Sequence, residues 1–156
     1  MSMLERQREL ARRKRDKMEE LRRKVQRQEH ILQVKMSEAY ALGQQKQTLI
    51  RQLGLHEIRY HETREVLERH HRRLKIEGTY GTFERNMRID MENKRDACKE
   101  AELKVDQIEK EIEEADHSER KAQQKLNELT ADFRQAQSEY ELENGRLIRM
   151  RPRYEY

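Results

Sequence analysis

The sequence predicts an all-α protein: an elongated coiled coil, folded as a long antiparallel helical hairpin. Three observations predict it. A line of mostly apolar residues repeats every seven positions, a glycine-containing break interrupts it, and the charge changes sign across that break. The line runs Leu4, Ala11, Met18, Val25, Leu32, Ala39, Lys46, Leu53, Tyr60, Leu67, Leu74, and nine of the eleven are aliphatic, Met or Ala. The chain is only 33% hydrophobic and 42% charged, so such a line marks a helix that keeps one narrow stripe against a partner helix.

Composition separates this reading from a globule and from disorder. Two Phe, six Tyr and no Trp supply little to fill a three-dimensional core. A mean hydropathy of −1.33 is near that of disordered chains, but one Pro and five Gly in 156 residues are too few for disorder. Abundant Glu, Lys, Arg, Gln, Leu and Ala are the residues of long helices. No apolar run approaches the roughly 18 residues of a membrane span. The opening Met1-Ser2-Met3-Leu4-Glu5-Arg6 has no signal-peptide core, and Cys98 is the single cysteine. These features lead to the expectation of a cytoplasmic protein.

The first arm, residues 1–75, is basic. Three residues on from the apolar line lie Leu21, Leu42 and Leu49, but also Gln7, Lys14, Gln28, Lys35, His56, Thr63 and His70. A seam this polar specifies register more than it supplies stability. Gly43 and Gly54 fall outside the line and mark a local kink, a flexible joint or a second turn. Residues 76–82 form the break, where Gly78 and Gly81 bracket Thr79 and Tyr80; each helical Gly costs about 1 kcal/mol relative to Ala.

The second arm, residues 83–150, is acidic. Its seam steps three and four through Val105, Ile108, Ile112, Ala115, Glu119, Ala122, Leu126, Leu129, Phe133, Ala136 and Tyr140. It reaches forward to Leu147 and Met150 and back through Ala101 and Cys98 to Met91 and Met87. Leu74 to Met91 is seventeen residues, two heptads plus three, so the break resets the helical phase. Gly145 and Pro152 signal fraying, and residues 151–156 are expected to be a flexible tail.

A single continuous rod with a break near Gly78–Gly81 is the alternative fold. Near-equal arms and a short loop favour the hairpin. So does charge: residues 1–75 carry 20 Lys and Arg against 11 acids, and residues 76–156 carry 15 against 20. The match is uneven, because the acidic stretch Glu100 to Glu119 folds back on a charge-poor part of the first arm. The dilute seam also leaves burial and ordering entropy nearly balanced. A further helix is therefore expected, from another copy or a different protein, making a homo- or hetero-oligomer.

No grouping carries catalytic chemistry. His56 and His61 are five apart, and His70 and His71 point in different directions, which does not suit helical metal ligation. His56 and His70 lie at seam-associated positions. Cys98 lies on the second seam as a small buried residue; oxidation between two copies would join them. No carboxylate pair sits in an apolar cleft, and no phosphate-binding loop, nucleophile turn or metal motif is present. The sequence is read as that of a non-enzyme with no metal and no cofactor.

The candidate site is a basic tip. Arg8, Arg12, Arg13, Arg15, Arg22 and Arg23 lie in the first arm, and a hairpin returns Arg149, Arg151 and Arg153 to the same end. The expected partner is another helix or an acidic protein surface, ahead of nucleic acid or an anionic membrane, because stacking aromatics and an apolar membrane face are missing. The function expected is that of a structural or scaffolding coiled coil, a spacer or adaptor docking through its basic helix ends. In length and outline the chain also resembles the stalk proteins of flagellar and type III secretion export ATPases. That resemblance implies a two-helix hairpin whose paired termini enter the ATPase ring. A nucleic-acid or membrane-binding arm, on charge alone, is the third reading.

Overall fold

The computed structural model describes residues 2–77 and 81–154 of the chain, with side chains for residues 2–73 and 81–150. Two helices account for them: α1, Met3–Glu77, and α2, Thr82–Tyr154. They pack against each other as a helical hairpin, which excludes the continuous rod. Gly78, Thr79 and Tyr80 of the expected turn lie outside the described residues. None of the described helices is long and apolar enough to cross a membrane.

A capping box starts α1. Ser2 Oγ accepts from the Glu5 amide at 3.2 Å, and the Ser2 amide donates to Glu5 Oε2 at 3.3 Å. Two donors that the first turn leaves without partners are thus satisfied together. Beyond the cap, α1 passes through Gly43 and Gly54 without a break. Half-buried Leu42, Leu49 and Leu53 hold the surrounding turns to α2, and that anchoring outweighs the glycine penalty of about 1 kcal/mol each. The same correction applies at the other terminus. Gly145 and Pro152 are expected to mark fraying, with a tail over residues 151–156; α2 runs through both to Tyr154, and Glu155 and Tyr156 lie outside the described residues. Leu147 is buried just after the glycine and fastens that turn.

The chain divides into two compact units, Met1–Ser37 with Asp116–Tyr156, and Glu38–Ala115. In the first, the buried apolar residues are Ala11, Met18 and Leu32 on α1 and Ala122, Ala136 and Leu147 on α2. In the second they are Cys98, Ala101, Val105 and Ile108, all on α2; Leu53, Tyr60 and Leu67 of α1 are only half-buried there. Every one of these lies on the three-four seam. Two helices cannot enclose a side chain, and even Ile108, the most covered of the buried apolar group, keeps 2% of its surface.

Polar seam residues set the antiparallel register. In the first unit the Gln7 amide donates to the Glu143 carbonyl oxygen at 2.9 Å and to Glu143 Oε2 at 2.8 Å. Lys14 bonds Glu139 at 3.1 Å, and buried Gln28 donates to the Ala122 carbonyl at 3.1 Å. As the α1 number rises the α2 number falls, which is the antiparallel signature. In the second unit Lys46 pairs with Glu109 at 3.5 Å, and Lys94 donates to Thr63 Oγ1 at 2.7 Å. Thr63 Oγ1 in turn donates to the Arg59 carbonyl at 2.9 Å. A slipped register would leave the amide of buried Gln28 without its partner and separate Gln7 from buried Glu143.

The register argument makes a prediction. Gln28→Leu replaces a buried, hydrogen-bonded amide by an apolar group of similar size, so the thermal midpoint rises while uniqueness is lost. Circular dichroism should show the higher midpoint, and light scattering should show more than one oligomeric species. A single unchanged species would remove Gln28 from the register.

Candidate functional site

Helical geometry sorts the predicted arginines of the first unit into rows. Residues three and four apart share a face, so Arg8, Arg12, Arg15 and Arg22 line one flank of α1. All four are exposed. Glu5 and Glu9 share a shallow hollow with Arg8 and Arg12, which tempers the row at its start. Arg22 closes it, its guanidinium lying over the Phe133 ring at 5.6 Å and pairing with Glu19 at 3.3 Å. That contact holds the Arg22 charge in place through a cation–π interaction.

The other arginines stand elsewhere. Arg13 lies on the opposite flank and is bound to Glu9 at 2.8 Å. Arg23 is exposed on the outer face. Arg149 is exposed on α2, where its Nε donates to the Gly145 carbonyl at 3.3 Å. The Gln7–Glu143 bonds set this part of α2 beside the first turns of α1, so Arg149 returns to the α1 start as the hairpin requires. Arg151 and Arg153 are in α2, but their side chains lie outside the described residues. One nearby cation is inward-facing: Lys14 holds the Glu139 carboxyl below its usual range, first by its hydrogen bond and then by its charge.

The histidines resolve into two unlike environments in the second unit. His70 meets Phe83 edge-on, with ring centroids 4.4 Å apart. The His71 ring Nδ1 lies 3.0 Å from Glu84 Oε1, and Arg88 donates to the same oxygen at 2.9 Å. Glu84 is buried on the seam, with 4% of its surface exposed. Its carboxyl is held below the ordinary value chiefly by the His71 hydrogen bond, with the Arg88 and His71 charges adding to it and burial opposing. Sequence spacing signalled the seam position of Glu84 weakly, because an acid three residues ahead of Met87 resembles an ordinary first-turn helix acid. Among the described residues, no group of three His, Cys, Asp or Glu is placed to hold a metal ion.

Cys98 is buried on the seam. Burial pushes its thiol above the ordinary value, and the charges of Glu57 and Glu102 push it the same way. The thiolate is the reactive form, so this environment disfavours it.

Two predictions follow from these environments. Ellman's reagent should modify Cys98 about a hundredfold more slowly in the native protein than in denaturant; equal rates would show that the seam opens freely. Glu84 has a depressed folded-state pKa, so its stabilisation is complete above the ordinary carboxylate range near about 4.3 and is lost as pH falls through its lower folded value. The thermal midpoint should therefore drop on acidification, and Glu84→Gln should lessen that drop. An identical pH profile in the variant would remove Glu84 from the linkage. No protein-family model matches the chain, and neither a curated protein nor a solved structure matches it.

Proposed function

We propose that the chain is a non-catalytic scaffolding hairpin, a cytoplasmic spacer or adaptor within a larger protein assembly. It docks an acidic protein surface through the arginines near the start of α1. The observation that carries this reading is the exposed row Arg8, Arg12, Arg15 and Arg22 on one flank of α1. An acidic surface supplies carboxylates that the guanidinium forks bind in pairs. A rigid helix presents those forks with little loss of backbone freedom on docking. Residues 1–27 carry eleven Lys and Arg against five acids, so encounter with an acidic partner is steered as well as held.

A second reading takes the chain as a stalk-type hairpin subunit of a flagellar or type III secretion export ATPase. The Gln7–Glu143 register favours it, because it pairs the beginning of α1 with the end of α2. In that setting the same arginines face an acidic ring lumen. A charge-driven nucleic-acid or membrane-binding arm is the third.

Reversing Arg8, Arg12 and Arg15 to Glu tests the docking row. Pull-down with the full chain should lose its acidic protein partners, with capture falling at least about tenfold, while helicity by circular dichroism stays unchanged. Undiminished capture would defeat the proposal. Steep, salt-dependent retention of duplex DNA by the wild type, lost in the variant, would instead favour the third reading.

A further inference from the structure

The second unit carries an uncharged face unlike the rest of the molecule. Residues 39–56 contain only Lys46 and Arg51 as charged residues, in a chain that is 42% charged. Lys46 is on the seam and pairs with Glu109. On the flank beside it, Tyr40, Gly43, Gln47, Ile50 and Gly54 repeat at three and four, the spacing of a coiled-coil stripe. Tyr40 is 71% and Ile50 46% exposed. A Cβ added at Gly43 or Gly54 meets nothing within 4 Å, so the backbone is open there to close approach.

An acidic row borders this stripe. Glu102, Asp106, Glu109 and Glu113 repeat at four, three and four along α2, and all are exposed. Both rows continue into one hollow lined by Glu57, His61, Arg95, Lys99 and Glu102, so they flank the same groove. Between Glu100 and Ala115 there are seven acids and two lysines. An uncharged stripe carrying exposed Tyr40 and Ile50 beside a row of carboxylates is complementary to a helix with an apolar stripe beside a cationic one.

We propose that this groove docks a basic amphipathic helix of a partner protein, its apolar residues over Gly43, Ile50 and Gly54 and its Lys or Arg residues against Glu102, Asp106 and Glu113. A second copy of this chain fits poorly. Its own basic segment, at the start of α1, turns Ala11 and Met18 inward against α2 and leaves Met3 and Leu10 as its exposed large apolar residues, too few to make a stripe. The partner helix completes a three-helix packing, which covers the apolar stripe that two helices leave open.

The test uses the full chain and a fluorescent three-heptad helical peptide with Leu and Ala on its apolar stripe and Lys on the flanks. A matched peptide carries Glu in place of Lys. Fluorescence anisotropy should show the Lys peptide binding at least about tenfold more tightly than the Glu peptide, because several exposed charge pairs act together. Ile50→Glu and Tyr40→Asp, both at exposed positions that leave the seam intact, should each weaken the Lys peptide by a similar factor with unchanged circular dichroism. Equal binding of both peptides would overturn the proposal. So would Lys-peptide binding that ignores both substitutions, which would mean charge attraction without the groove. Sedimentation showing a wild-type dimer that Ile50→Glu dissolves would assign the face to self-association and overturn it as well.

Discussion

Two helices that meet along one stripe cannot surround a side chain, and this limit governs the molecule. Ala and half-covered Leu, Val and Tyr supply most of the apolar contact, so burial alone discriminates poorly between one register and the next. Discrimination falls to polar groups on the stripe. Gln28 is buried and reaches the Ala122 carbonyl; Gln7 reaches both the backbone and the carboxylate of Glu143. A neutral hydrogen bond contributes about 1 kcal/mol when made, but a buried donor without a partner costs more. The penalty for slipping is therefore larger than the reward for pairing, which is how a weak seam holds one arrangement.

Charge plays a smaller part than the opposite signs of the two arms suggest. Among the described residues, most ion pairs join positions three or four apart on the same helix, as in Arg13–Glu9 and Arg64–Glu68. Lys14–Glu139 and Lys46–Glu109 do cross between helices, but both are partly exposed and worth little individually. Long, charge-rich helices satisfy themselves internally first. The charge exposed along the flanks differs between the units: guanidinium groups in the first, carboxylates beside an uncharged stripe in the second.

The seam was legible because a helix repeats its contacts regularly, and every buried apolar residue from Ala11 to Leu147 lies on it. The interruptions were less legible. Gly43 and Gly54 have the local signature of a joint, yet helix neighbours anchored on the seam carry the chain through them. The capping box at Ser2 and Glu5 is a spacing of three residues, a short local signal beside the larger heptad pattern. For the candidate site, the clustering of the arginines and their division into flanks both follow from helical spacing, whereas their contacts do not. Arg8, Arg12 and Arg15 share a flank with Arg22, whereas Arg13 turns away to Glu9. Only the placement of α2 decides which flank lies beside which.

By itself, the sequence determined that the chain is helical, where each helix turns its stripe, and that the stripe is too polar to be a conventional core. Those properties depend on neighbours within a few residues, and local spacing encodes them. Tertiary structure decided the pairing of Gln7 with Glu143 and Thr63 with Lys94, the enclosure of Glu84 by His71 and Arg88, and the raised pKa of the Cys98 thiol. Each depends on groups far apart in the chain. The heptad line names the face that is buried, but hydrogen bonding across it selects what that face meets.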